Sequence, residues 1–205
     1  MPNPAQILDD LARIANDWTA IAVIWHGLMA AAVVGLLAGW RPAKRLGATV
    51  LALPLLCVSV MAWIYGNPFN GTVFLGFAAA LSALGMRLPV AKTERPQAWA
   101  LALGVLMVAF GWVYPHFLGA GPWWRYLYQA PTGLIPCPTL SAVVGFALLA
   151  RGFSARGWSV LLGILGLFYS LFGALRLGVT IDLVLLVGSV ALLWLARCLK
   201  PVPQP

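Results

Sequence analysis

Apolar runs separated by short polar or proline-rich links organise this chain. They extend over Trp18 to Trp40, Leu46 to Tyr65, Gly71 to Met86, Ala98 to Tyr114, Cys137 to Ala150, Trp158 to Leu175 and Val179 to Ala196. A helix rises about 1.5 Å per residue and a bilayer's hydrocarbon core is about 30 Å thick, so each run is of crossing length or close to it. A soluble core has no use for such runs at such spacing. The pattern predicts an all-α fold, a polytopic transmembrane helical bundle of about seven spans forming one domain over residues 1–205. Ahead of the first span, Ile7, Leu8, Leu11, Ile14 and Trp18 recur at helical spacing opposite Asp9, Asp10, Arg13 and Asp17. That predicts a short amphipathic helix at the interface over residues 1–17.

Composition strengthens this picture. The chain is 62% hydrophobic and 9% charged, against about 45–50% and about 25% in soluble domains. Its formal charge of +8 could suggest nucleic acid, but the cations sit in small groups between apolar runs, without the aromatic-lined groove that single strands need. The charge reads as a topology signal. With seven spans, Arg41, Lys44, Arg45, Arg87, Lys92, Arg95, Arg151, Arg156, Arg197 and Lys200 fall on one side, and Arg13, Arg125 and Arg176 on the other. The positive-inside rule then predicts an outside N-terminus and a cytoplasmic C-terminus. Tryptophans fall at or near proposed boundaries except Trp25, as interfacial indoles should. The first fifteen residues lack a basic leader and place Asp9 and Asp10 where a signal peptide would be apolar, so the first span is expected to direct its own insertion. The longest link, residues 115–136, is rich in Pro, Gly and aromatics and is expected to form an ordered extracytoplasmic cap.

Polar residues inside the apolar runs are the candidates for chemistry. Pro136 and Pro138 flank Cys137, and helix α-start at Pro138 would leave unpaired amides pointing outward below the membrane surface. Counted from the inner boundary, Cys137 and Asp182 lie at about 21–22 Å, as does His26 on the first span. Ionisable groups at such depth usually face a cavity or a partner. His26, Cys137 and Asp182 are therefore the expected site, with ligand types suited to zinc or copper. Each also has a plain structural reading: a small buried thiol, a histidine on a carbonyl, and an acid complementing a helix dipole. Just above them come Asn67, Asn70, Tyr114 and His116, with Thr139 one turn into the fifth run. Asn67 to Gly71 also reads as a tight interhelical turn. No comparable polar set occurs on the cytoplasmic side, so a binding site should open outward.

The pieces Tyr114-Pro115, Ala130-Pro131-Thr132-Gly133 and Pro136-Cys137-Pro138-Thr139, with Asn67-Pro68 and the turn from Gly178 to Asp182, resemble a bacterial family of multi-pass membrane proteins of unknown function. The chain departs from that pattern at Leu140, where a hydroxyl residue is expected, and around Tyr65. The resemblance implies the helical fold and no particular substrate, cofactor or reaction, although some relatives carry permease labels.

Three functions follow as expectations. The first is a binder or transporter of a small ligand or ion in the outer leaflet. The second is a structural or accessory subunit that binds lipid, quinone or another membrane protein through its helices. The third is a membrane enzyme with Cys137 as nucleophile and His26 or His116 as base. The bilayer is a partner in every case and nucleic acid in none. Walker, G-x-S-x-G, H-E-x-x-H and paired C-x-x-C motifs are absent, which argues against nucleotide hydrolysis and metalloprotease chemistry.

Overall fold

A computed structural model describes residues 3–199, and among the described residues it is helical without a strand. In chain order the helices are α1 (Pro4–Asp17), α2 (Thr19–Leu37), α3 (Lys44–Val50), α4 (Leu53–Ile64), α5 (Pro68–Met86), α6 (Ala98–Val113), α7 (Tyr126–Gln129), α8 (Pro136–Leu149), α9 (Arg156–Leu171) and α10 (Leu183–Cys198). Five stretches, Thr19–Leu37, Lys44–Ile64, Pro68–Met86, Arg156–Arg176 and Thr180–Cys198, are long and apolar enough to cross a membrane. The apolar helices α6 and α8 are shorter. Lys200, counted with the basic side, lies outside the described residues.

Local chemistry explains where these helices start and break. A capping box opens α1: the Asn3 side chain accepts from Ala5 N at 3.2 Å, and Gln6 Oε1 accepts from Asn3 N at 3.0 Å. Between α3 and α4 the second run is interrupted, because Pro54 has no N–H for the Val50 carbonyl and its ring crowds the preceding turn. The third run begins at Pro68, three residues earlier than its apolar pattern, with Asn67 accepting from Asn70 N at 3.0 Å as its cap. The fifth helix begins at Pro136, not at Pro138 as the sequence pattern predicts. Both prolines fit because the first-turn amides of a helix have no intrahelical acceptor to lose.

α8 is the pillar of the bundle. Every residue of it except Cys137 and Phe146 is buried. It packs against α6 nearly backbone to backbone: a Cβ added at Gly111 would lie 2.6 Å from the Pro138 carbonyl oxygen, and one at Gly145 would lie 2.7 Å from Val108 N. Small residues permit such contact where no hydrophobic effect drives association. Leu55, Phe74, Met107, Leu148, Leu165 and Leu185 complete the surrounding core.

α2 stands apart from this packing. Only Ala22, His26 and Met29 of α2 are buried. In its His26 ring, Nδ1 lies 2.8 Å from the Ala22 carbonyl oxygen and Nε2 2.9 Å from the Trp112 carbonyl oxygen, and the N–H of the neutral ring donates to one of the two.

The bundle's two ends are built differently. At the end where α2 finishes and α3, α6 and α9 start, Glu94 accepts from Lys44 Nζ at 2.8 Å, from Ser154 Oγ at 2.7 Å and from the Arg151 guanidinium. Three links of the chain are thereby tied together. Arg151, Gly152, Phe153 and Ser154 all adopt the left-handed region, with φ of 51°, 57°, 54° and 56°, to bring Arg151 and Ser154 to that carboxylate. A non-glycine residue there costs about 1–2 kcal/mol, so the contacts of this turn must offset that strain. The Lys44 ammonium and Ser154 hydroxyl, with Arg151 adding charge, hold the Glu94 carboxyl down at about 2 from an ordinary 4.5. At the other end α1 lies across the helix tips. Asn16 Nδ2 donates to the Phe117 carbonyl at 2.8 Å, Asn16 Oδ1 accepts from Gly119 N at 2.9 Å, and Tyr65 Oη donates to Asp17 at 2.6 Å.

Candidate functional site

The start of α8 and the start of α10 meet beneath α1. α9 does not end on an ordinary turn: residues Phe172–Arg176 form a π turn, an irregularity often found at functional sites. Gly173 lies in it. A Cβ at that position would collide with Asp182 Oδ2, so only glycine lets the carboxylate lie against this backbone.

Asp182 precedes α10 and is 2% exposed. Its side chain makes no capping bond to the α10 amides. Instead its Oδ1 accepts from Tyr114 Oη at 2.6 Å. Cys137 lines the same small cavity as this carboxyl, and its Sγ is 3.9 Å from the Tyr169 carbonyl oxygen. Tyr169 Oη donates to Asn70 Oδ1 at 2.8 Å. Three helices, α5, α8 and α9, together with the link after α6 and the turn before α10, thus supply one polar cluster in an otherwise apolar interior. A cavity of about 30 Å³ opens among these groups, roofed by Ile7 and Leu11 of α1. One water needs about 10–15 Å³ of such space, so the cavity has room for ordered water and little else.

The sequence-derived candidates divide on this geometry. Cys137, Asp182, Tyr114 and Asn70 come together around the cavity. His26 does not join them, because both of its ring nitrogens are engaged by carbonyl oxygens. Neither His26 nor His116 lines the Cys137 cavity, so neither stands there as a base for the thiol. The three-ligand metal centre of His26, Cys137 and Asp182 is corrected accordingly: among the described residues no three His, Cys, Asp or Glu side chains group closely enough to hold a metal ion. Shared depth did not imply shared rotation about the helix axes.

Asn67, Thr139 and His116 take other places. Asn67 caps α5. Thr139 Oγ1 donates to the Ile135 carbonyl at 2.6 Å and accepts from Gly133 N at 2.8 Å, tightening the entry to α8. His116 is exposed, its ring centroid 4.2 Å from that of Phe117. Sequence reading missed Tyr169, Gly173 and the α1 roof. Tyr169 carried a usable signal, as the single tyrosine in its apolar run. The π turn that places Gly173 carried none.

These features define a membrane-type helical bundle with one polar, water-sized site near one end. Comparison of the chain with protein-family models, with curated proteins and with solved structures finds no match.

Proposed function

We propose that this chain is a multi-pass protein of a bacterial inner membrane, crossing about seven times with its N-terminus outside, and that it binds and passes on a small ion in the outer leaflet. The proton fits the site best. The observation that carries this reading is Asp182, an acid 2% exposed in an apolar bundle, bonded to Tyr114 and facing a cavity of about 30 Å³. An acid at such a place is expensive, and in membranes it typically marks an ion or proton path.

The crossing count is supported by the short helices as well as the long ones. α6 and α8, at 16 and 14 residues, span about 24 and 21 Å. α8 is enclosed by protein at nearly every position, so its ends need not reach the lipid surface. The ten-to-three split of Lys and Arg supports the orientation.

In this reading Asp182 accepts a proton from a hydronium ion that reaches the cavity, leaving water behind, and later returns the proton to water as hydronium. Tyr114 Oη donates to the carboxylate while it is charged and so offsets part of its desolvation. Asn70 and Tyr169 form the polar wall toward α1, whose Ile7 and Leu11 separate the cavity from bulk water until α1 moves. The Pro136-Cys137-Pro138 start of α8 holds the thiol and the turn rigidly against this wall.

The test is purified protein in sealed vesicles, with an interior pH-sensitive dye and an imposed potential. Proton entry above that of empty vesicles is expected, with loss in Asp182→Asn and retention in His26→Ala. No flux from the wild type, or flux unchanged in Asp182→Asn, would contradict the proposal.

A further inference from the structure

A second, larger cavity lies away from Asp182. A groove of about 650 Å³ runs between α2 and α6, walled by Val33, Leu36 and Leu37 on one side and by Leu101, Val105 and Val113 on the other. Trp112 lines it toward the α1 end, where His26 fastens α2 to the Trp112 carbonyl at 2.9 Å. Arg41 and Arg95 line it toward the opposite end. The groove exists because α2 is fastened near its start and is otherwise little packed, only 17% of its apolar stretch being buried.

The two arginines set the chemistry of an occupant. Among the described residues no carboxylate lies within 4 Å of either one. The nearest acid in sequence, Glu94, is already engaged by Lys44 and Arg151. Two uncompensated guanidinium groups therefore end an apolar channel. From Leu101 to Val113 that channel runs about 18 Å, close to the half-thickness of a hydrocarbon core of about 30 Å. Its volume falls within the range of about 300–1,000 Å³ usual for ligand pockets. Guanidinium forks suit phosphate oxygens, and basic pockets between membrane helices are a known setting for anionic headgroups.

We propose that this groove is a binding site for one anionic phospholipid, its phosphate held between Arg41 and Arg95 and one acyl chain laid between α2 and α6. The site is independent of the Asp182 reading and shares no residue with that cavity. A bound lipid would supply the packing that α2 lacks along this face and complete the bundle.

The test is native mass spectrometry of delipidated protein in mild detergent, titrated with phosphatidylglycerol or phosphatidylcholine. Wild-type protein is expected to retain one phosphatidylglycerol at a concentration at least tenfold lower than it needs for phosphatidylcholine. Arg41→Gln with Arg95→Gln should abolish that preference. Val105→Trp, which fills the groove without changing charge, should weaken both lipids. Arg87→Gln with Arg156→Gln, exposed cations outside the groove, should leave the preference intact. Equal binding of the two lipids by the wild type would overturn the proposal, and that comparison needs no variant. A preference unchanged in the Arg41/Arg95 variant, or a lipid-free dimer that protects the groove, would overturn it too.

Discussion

α8 and α2 are both apolar helices, yet the bundle treats them oppositely. α8 is buried at all but two of its 14 residues, whereas the apolar stretch that forms α2 is 17% buried. The difference lies in their small residues. Gly111 of α6 and Gly145 of α8 let two backbones touch, while Gly27 of α2 has nothing within 4 Å of its would-be Cβ. Apolarity sends a helix into a membrane; the pattern of small and polar positions decides whether it goes to the centre or the edge.

Several substitutions would break or sharpen this contrast, read by reversible unfolding in mixed detergent. The largest effect is expected from Leu148→Ala in the fully buried part of α8, at about 2–5 kcal/mol. Leu28→Ala, on the exposed side of α2, should stay within about 0.5 kcal/mol. Gly145→Val should cost about 1–3 kcal/mol or more, since its new methyl groups meet α6 backbone. By contrast Gly27→Ala should be neutral or stabilise by up to about 1 kcal/mol. Equal costs at the two glycines would mean that α2 packs as tightly as α8. Tyr114→Phe should cost about 1–3 kcal/mol, because it strips the Asp182 carboxylate of its phenol donor.

The smallest effect belongs to the opposite end. Glu94 is partly exposed, and exposed ion pairs contribute about 0.2–1 kcal/mol, so Glu94→Gln should lose no more than about 1 kcal/mol near neutral pH. Its folded-state carboxyl titrates near 2 instead of 4.5, so the ionised network stabilises fully above 4.5 and loses that contribution as pH falls toward 2. The gap between wild type and Glu94→Gln should therefore close over that window. A gap that widens on acidification would contradict the assignment.

Most of the helical layout was legible in the sequence because hydrocarbon thickness and backbone hydrogen bonding leave few alternatives to long apolar helices. Helix starts were less legible. Pro138 looked like the beginning of α8, but two prolines fit in one first turn and the helix starts at Pro136. The site was half legible for a geometric reason. Residue counting gives an expected depth, and Cys137 and Asp182, which it set at one level, line one cavity. Rotation about each helix axis is set by packing, and packing turned His26 to the Trp112 carbonyl instead. Tyr169, in the regular part of α9, was legible as the single tyrosine of its run and was passed over, whereas Gly173 escaped because the π turn that aims it shifts the helical register without any mark in the apolar pattern.

The central claim is that Cys137 and Asp182 form one polar site from which His26 is separate. The infrared S–H stretch of Cys137, assigned by its disappearance in Cys137→Ala, reports the surroundings of the thiol in that shared cavity directly. The account expects that band to shift in Asp182→Asn and to stay unchanged in His26→Ala. A band indifferent to Asp182→Asn, or one that moves only in His26→Ala, would contradict it.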